Sequence, residues 1–234
     1  GSNAKPGEIT LAHNGVLFMD EAPEFPRFVL DALRQPLESH MITVNRLQNS
    51  YEYPANFICV LAANPCPCGY YGDLNKECVC SSTELMKYQN KISGPILDRI
   101  DLFISVERPS FDDMLYIHSE SLSSADMKVL VELGRTVQLE RFKECSFKTN
   151  GAMPHRAIRE LCNIRDECWS LLSDVYERFY FTGRTFDRLL KVSRTIADME
   201  GSFYVEKEHI SEAMLYRYTP FHMSRIGDYN GATV

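Results

Sequence analysis

The stretch GVLFMDEAPEF, residues 15–25, carries the clearest structural signal in the first half of the chain. Its apolar run from Val16 to Met19 leads directly into two adjacent carboxylates, Asp20 and Glu21. A short, unbroken apolar run is typical of a strand in a parallel sheet whose two faces are both covered. At the carboxyl edge of such a sheet, the two acids would lie in the crevice where α/β proteins bind ligands.

Strand and helix patterns alternate around this stretch as far as about residue 108. FPRFVLDALRQPLE predicts one amphipathic helix, and ITVNRL and SYEYP predict the two arms of a hairpin. NFICVLAAN predicts a second buried strand and DLFISVE a third. From Ser110 onward helical periods replace the strand patterns; they cover residues 125–143, 155–162, 166–179, 184–200 and 207–217.

The predicted fold class is therefore α/β followed by all-α. A chain of 234 residues with 44% hydrophobic content can bury a sizeable core in one or two domains. The predicted organisation is an expression-tag remnant at residues 1–4, a partial α/β core at 5–109, a linker at 110–124 and a helical domain at 125–234.

Composition indicates a protein of the cytoplasm. No apolar run approaches the roughly 18 residues that span a bilayer, so we expect a soluble protein with no membrane partner. The formal net charge of -7 argues against general, sequence-blind affinity for nucleic acid, although it does not exclude a local basic patch.

Two strand ends carry side chains suited to nucleotide hydrolysis. In the Asp20–Glu21 pair, one acid can hold Mg²⁺ while the next polarises a water molecule. Asn64 ends the second predicted strand and could orient that water or contact a γ-phosphate. The alternatives are a strand that simply runs out into solvent and an amide that only caps the following turn.

Two arginines have a possible role at a phosphate. Arg99, in SGPILDRIDLFI, could reach the γ-phosphate of a neighbouring subunit, or it could form an ion pair with Asp98 or Asp101. Arg184 falls in the first turn of a predicted helix, where a cation is unfavourable, and this placement indicates an anionic partner.

Cys66, Cys68, Cys78 and Cys80 form two C-x-C pairs in CPCGYYGDLNKECVC. Four thiolates brought together by a hairpin suit tetrahedral Zn²⁺, although C-x-C is tighter than the usual spacing. The alternatives are four reduced cysteines in a flexible loop and an iron–sulfur cluster.

Several long motifs in a fixed order resemble those of the magnesium-chelatase-like AAA+ ATPases of bacteria, in particular the ComM/YifB group. The motifs are PGEITLAHNGVLFMDEAPEF, LDALRQPLE, AANPCPCGYYGD, ISGPILDRIDLFISVERP and GRTFDRLLKVSRTIADMEG. The resemblance implies the carboxyl-terminal part of an AAA+ α/β/α nucleotide-binding core followed by a helical lid.

The resemblance also implies roles for the candidate residues. Asp20 and Glu21 become the Walker B pair with Glu21 as catalytic base, and Asn64 becomes sensor 1. Arg99 becomes an arginine finger acting on a neighbouring subunit, and Arg184 becomes the sensor 2 arginine of the lid. The implied cofactors are ATP and Mg²⁺, and the implied assembly is a ring of identical subunits, expected to be a hexamer.

One expected motif is missing from this sequence. AAA+ ATPases hold the β- and γ-phosphates with a P-loop, G-x-x-x-x-G-K-[ST], and no GK dipeptide occurs in the 234 residues. In the resembling family that loop precedes the Walker B strand, so we expect this chain to be a fragment. We expect the full-length protein to hydrolyse ATP and the fragment alone to be inactive.

Two functions remain open at this stage. The first is a motor that couples ATP hydrolysis to DNA remodelling or branch migration. Arg46, Tyr51 and Tyr53 on the predicted hairpin could contact a single strand, although the pattern favours an ordinary solvated hairpin. The second is a chelatase-type accessory ATPase that remodels a protein partner.

Overall fold

The computed structural model describes residues 5–45, 50–73, 75–109, 111–115 and 122–217. The described chain forms two compact units, the first ending at Ile100 and the second beginning at Asp101. Part of the predicted linker and Arg46 lie outside the described residues, and the predicted domain boundary near Ser110 remains a prediction.

The first unit combines two small sheets with short helices. Strands β1 (Val16–Met19) and β4 (Ile58–Leu61) pair in parallel, with Val16 opposite Ile58. Strands β2 (Met41–Asn45) and β3 (Ser50–Pro54) form the predicted antiparallel hairpin. The helices are α1 (Glu8–Leu11), α2 (Arg27–Ala32), α3 (Pro36–Ser39), α4 (Ser82–Gln89) and α5 (Gly94–Leu97).

The parallel pair has one covered face and one exposed face. Met19 is only 6% exposed, whereas the exposed fractions on the opposite face are Val16 57%, Phe18 60%, Ile58 60% and Val60 39%. The prediction that both faces are covered is therefore wrong for the described residues. The physical reason is that, within the described chain, too little packs on the second face of these two strands to bury its side chains.

Two other predicted elements differ from the structure. The third predicted strand, residues 101–107, pairs with no strand in the described chain, and Leu102, Ile104 and Val106 are exposed. The predicted helix over FPRFVLDALRQPLE is two helices, α2 and α3, separated by a turn at residues 33–35. Pro36 starts α3 because its ring prevents a continuous helix from passing through it.

The second unit is helical in its described residues. Its helices are α6 (Phe111–Leu115), α7 (Ser124–Arg141), α8 (His155–Leu161), α9 (Cys168–Arg178), α10 (Gly183–Met199) and α11 (Lys207–Leu215). The last five agree with the predicted helical periods to within a few residues. Buried side chains of these helices and of the segments between them form one apolar core that includes Phe142, Leu172, Leu189, Val205 and Ile210. The remaining strand-like feature described here is an isolated bridge between Ile164 and Val205.

A buried charge network lies beside this core. The Arg194 side chain is fully buried, and its guanidinium donates hydrogen bonds to Asp198 and to the carbonyl oxygens of Cys162, Ser202 and Phe203. Asp198 also accepts hydrogen bonds from Arg141 and Asn150. The buried charges are thus paired and hydrogen-bonded, as burial of charge requires. Among the helices of the described chain, none combines the length and apolar content needed to cross a bilayer.

Candidate functional site

The parallel pairing of β1 and β4 brings the two polar strand ends to one edge of the sheet. Beyond the strands, the Ala62 amide donates to the Met19 carbonyl oxygen at 2.9 Å, and the Ala22 amide donates to the Ala62 carbonyl oxygen at 2.8 Å. Asp20 and Glu21 thus leave β1 at the same edge where Asn64 follows β4. The structure therefore places these three predicted residues at the same edge of the sheet.

Glu21 has an unusual backbone conformation at this edge. Its φ of 49° and ψ of 42° lie in the left-handed region, which costs energy for a residue with a Cβ. The Glu21 amide donates to Asp20 Oδ1 at 2.9 Å, which stabilises the sharp turn after β1. Strain of this kind persists where the surrounding structure enforces it, and it is common at functional sites.

Tyr88 on α4 connects this edge to the rest of the unit, a role that the sequence pattern did not indicate. Its side chain is buried, and its hydroxyl forms a hydrogen bond with the backbone of Asn64. Burial raises the pKa of the Tyr88 hydroxyl, and the carboxylates of Glu24 and Glu21 raise it further. The next charged residue along the chain, Lys91, donates to Glu24 at 2.9 Å. A buried tyrosine in a short amphipathic helix gives no signal of such a role from sequence alone.

Arg99 forms contacts within its own chain. It follows α5, and its side chain is only 10% exposed. Its Nη1 donates to the Pro95 carbonyl oxygen at 2.6 Å, and its Nη2 pairs with the Glu38 carboxylate on α3. Asp101, one of the two partners considered from sequence, pairs with Arg188. The arginine-finger role of Arg99 stays a prediction.

The contacts of Arg99 belong to a larger polar cluster that joins two of the sequence motifs. In the LDALRQPLE motif, Arg34 donates to Asp31 at 2.8 Å and to the Ser93 hydroxyl at 3.0 Å. Ser93 also donates to Asp31, and it is the N-cap residue of α5 in the SGPILDR motif. The sequence pattern gave no signal for Glu38, because a lone acid at the end of a helix is a common surface residue.

Arg184 lies in the second unit, in the first turn of α10. Its side chain is exposed, and no acidic residue occurs in that turn. The Thr182 hydroxyl caps the helix by accepting a hydrogen bond from the Thr185 amide at 3.2 Å. The predicted position of this arginine in the helix is therefore confirmed, and its role as sensor 2 stays a prediction.

The four clustered cysteines converge in space. Cys66 Sγ lies 3.3 Å from Cys68 Sγ and 3.7 Å from Cys78 Sγ, and Cys68 Sγ lies 3.5 Å from Cys78 Sγ. With Cys80 included, the four sulfur atoms all lie within 4.8 Å of one another. Cys66 is buried, and the other three are half-buried.

The thiols in this cluster differ in acidity because they share one small volume. A backbone hydrogen bond from Tyr70 contributes most to lowering the pKa of the Cys68 thiol to about 6. Burial contributes most to raising the pKa of the Cys80 thiol to about 12. When one of several adjacent thiols ionises, its negative charge disfavours ionisation of the others.

Comparisons with known proteins agree with these features. The family model described as magnesium chelatase, subunit ChlI, matches residues 1–114, and the model of the ChlI C-terminal region matches residues 121–217. The chain is 40% identical over 218 residues to competence protein ComM of Haemophilus influenzae, and 39% identical over the same length to protein YifB of Escherichia coli. The chain belongs to the magnesium-chelatase-like family of the ComM/YifB type.

The alignments to these ComM/YifB relatives cover 93% of this chain and 42% of each relative. The chain therefore spans less than half the length of the relatives it matches. Its mixed α/β part with a small sheet and its helical C-terminal region are compatible with the fold of this AAA+-related family.

Proposed function

We propose that this chain is the carboxyl-terminal part of the ATP-hydrolysing region of a ring-forming AAA+ ATPase that acts on DNA. The observation that carries the proposal is the common sheet edge of Asp20, Glu21 and Asn64, two acids and one amide at the ends of parallel strands. This is the edge where parallel α/β proteins bind ligands.

The residues at this edge fit a magnesium–nucleotide ligand. Asp20 uses one oxygen to accept the Glu21 amide, and a carboxylate has further lone pairs with which to hold a metal ion. Within the described chain the exposed Glu21 carboxylate accepts no hydrogen bond, which leaves it able to take a proton from water. Asn64 would orient that water, and bound Mg²⁺ would neutralise phosphate charge.

The two arginines would supply positive charge to the nucleotide. In this proposal Arg99 acts across a subunit interface on a neighbour's γ-phosphate, and Arg184 contacts phosphate from the helical lid. The phosphates themselves need backbone amides and a lysine of the P-loop type, which this sequence does not contain. We therefore assign ATP turnover to the longer protein and expect at most weak ATP binding by this chain alone.

We propose DNA as the molecule on which the ATPase acts, and the support comes from the relatives. One of them is named competence protein ComM, and resemblance to that group is what implies a motor that moves DNA. The family relation to AAA+ proteins supports assembly of identical subunits into a ring, for which we propose six. An accessory ATPase that remodels a protein partner shares the same hydrolytic site and is the alternative outcome of the test.

The test is an ATPase assay of the full-length protein with and without branched DNA. Stimulation by DNA supports the motor, whereas turnover that is indifferent to DNA overturns the DNA assignment and favours the accessory role. Glu21→Gln should lower turnover by about 10²-fold or more, as expected for a lost general base. Glu208→Gln removes the same charge from an exposed position on α11 and should leave turnover unchanged. Wild-type turnover in Glu21→Gln would contradict the catalytic assignment.

A further inference from the structure

The geometry points to a structural zinc site formed by Cys66, Cys68, Cys78 and Cys80. A tetrahedral ion with Zn–S bonds of about 2.3 Å holds its sulfur atoms about 3.8 Å apart. The separations among Cys66, Cys68 and Cys78 are 3.3, 3.5 and 3.7 Å, close to that spacing. All four thiols are thus already gathered around one point.

The local backbone explains how the two C-x-C pairs meet. Pro67 lies inside a turn closed by the Gly69 amide, which donates to the Cys66 carbonyl oxygen at 3.0 Å. A second turn has Gly72 at φ 87°, a conformation that glycine adopts without strain. Asp73 accepts the amides of Asn75 and Lys76, which directs the chain back toward the first pair. These turns form the hairpin that two close pairs of ligands require.

Backbone amides orient the sulfur atoms. The Tyr71 amide donates to Cys66 Sγ at 3.3 Å, and backbone hydrogen bonds also reach Cys68 from Tyr70 and Cys80 from Cys68. Hydrogen bonds of this kind hold metal ligands in place and offset part of their negative charge. The Lys76 ammonium, 3.8 Å from the centre of the Tyr70 ring, packs the loop against itself.

The ligand type and the spacing of the sulfur atoms indicate which metal ion the cluster would bind. Four soft thiolates in tetrahedral spacing suit Zn²⁺ or a single iron ion, and they do not suit Mg²⁺ or Ca²⁺. Sulfur atoms within 4.8 Å of one another surround a volume for a single ion, which argues against an iron–sulfur cluster. Four protein ligands fill a tetrahedral shell, so the zinc would be structural and would have no open position for catalysis.

The position of the cluster indicates what the metal would stabilise. Cys66 follows Asn64 by two residues, and Cys80 directly precedes Ser81, the N-cap residue of α4. Helix α4 carries Tyr88, whose hydroxyl forms a hydrogen bond with the backbone of Asn64. The zinc would therefore close a loop that begins and ends beside Asn64 and so hold that residue at the sheet edge. This inference goes beyond the proposed ATPase function and does not depend on it.

The test measures metal in the chain of 234 residues purified without chelator. We expect about one zinc per chain. A mercurial reagent, which modifies thiols, should release it. Replacing the zinc with Co²⁺ should give the intense visible absorption of tetrahedral cobalt thiolate. The variant Cys78→Ser/Cys80→Ser should contain almost no zinc, and Cys145→Ser, which removes a half-buried thiol from the second unit, should keep it.

Several outcomes would overturn the inference. Wild-type protein with no metal and four reactive thiols would show an ordinary reduced loop, and stoichiometric iron in place of zinc would contradict the metal assignment. Full zinc content in Cys78→Ser/Cys80→Ser would place the ion elsewhere. If that variant does not fold, the cobalt spectrum of wild-type protein decides, because Co²⁺ bound without thiolate absorption excludes a four-cysteine site.

Discussion

At the scale of single residues, Arg99 poses the sharpest question. It has an internal partner, Glu38, and it is also the proposed arginine finger. A plain Arg99→Ala substitution removes both the ion pair and the guanidinium, so a loss of activity would not separate the two roles. Glu38→Gln breaks the same ion pair and leaves the guanidinium in place, which makes it the matched control.

We predict that Arg99→Ala in the full-length protein lowers ATP turnover by about 10³-fold or more, because a trans arginine neutralises charge in the transition state. ATP binding should persist. Glu38→Gln should retain most of the turnover, and thermal unfolding should show similar losses of stability in the two variants. Mixed rings of Arg99→Ala and Glu21→Gln subunits should regain partial turnover, because some interfaces then combine an intact Glu21 with an intact Arg99.

Two results would contradict the finger assignment. Equal loss of turnover in Arg99→Ala and Glu38→Gln would show that the ion pair matters and that the guanidinium does not act on nucleotide. Turnover near the wild-type rate in Arg99→Ala would show that Arg99 is structural.

Asp198 offers a residue-scale test of stability. We predict that Asp198→Ala lowers the free energy of unfolding by about 3–5 kcal/mol, because it leaves Arg194 and Arg141 buried without their partner. The control is Glu132→Gln, which breaks the exposed Lys128–Glu132 pair with the same four-residue helical spacing and should cost about 0.5 kcal/mol at most. Urea unfolding of the chain measures both, and equal effects would contradict the buried-network argument.

At the scale of elements, α7 shows how one residue starts a helix. The Ser123 hydroxyl accepts the Asp126 amide at 3.2 Å, and the Asp126 carboxylate accepts the Ser123 amide at 3.0 Å. This reciprocal capping box satisfies two amides that the first turn would otherwise leave unpaired. It also lowers the pKa of Asp126, first through the Ser123 hydroxyl and then through the Ser123 amide.

We predict that Ser123→Ala destabilises the protein by about 1 kcal/mol at pH 7, through loss of the N-cap. Ser124→Ala, one position along the same helix, removes an exposed hydroxyl that does not cap it and should have little effect. Urea unfolding distinguishes the two variants, and similar destabilisation by both would contradict the capping role.

The same capping box predicts a pH dependence with a definite sign. Folding lowers the pKa of Asp126, so its ionised carboxylate stabilises the folded protein. This stabilisation is complete when the pH lies above 3.8, the ordinary pKa of the group. It is lost as the pH falls through the lower value of the folded state. Urea unfolding at a series of pH values should show the stability difference between wild type and Ser123→Ala narrowing below about pH 4. A difference that grows as the pH falls would contradict this sign.

At the scale of the whole molecule, the exposed face of β1 and β4 is the feature that the chain alone leaves unexplained. Parallel strands are normally covered on both faces, and here Val16, Phe18, Ile58 and Val60 face outward. The relatives are more than twice as long as the aligned region. We propose that segments of the longer protein outside these 234 residues pack on this face and cover it.

We predict that Phe18→Ala costs under about 1 kcal/mol in the 234-residue chain, where this side chain is largely exposed. In the full-length protein the same change should cost about 3–5 kcal/mol because the ring is then buried. Met19→Ala, at a position already buried, should be costly in both. Denaturant unfolding of both lengths measures the difference, and a small effect of Phe18→Ala in both would show that this face stays exposed.

Local patterns in the sequence were sufficient for several features. The helical periods identified α7 to α11 because each helix buries one apolar stripe, and the hairpin of β2 and β3 followed from two β-rich runs. The parallel pairing of β1 and β4 followed from their apolar character, and it explains why Asp20, Glu21 and Asn64 meet at one edge. The spacing of the cysteines indicated that they would converge, because two close pairs joined by glycine-containing turns favour a hairpin.

Other features depended on the tertiary structure because they join residues that are distant in sequence. Local pattern does not reveal that Arg99 pairs with Glu38, 61 residues earlier, or that Tyr88 contacts the backbone of Asn64. The third predicted strand shows the same limit, because an apolar run becomes a strand only when a neighbouring strand offers hydrogen bonds. By itself the sequence determined the elements with strong local periods and the residue types at their ends. The tertiary structure decided the partners, because pairing and burial depend on which surfaces meet in space.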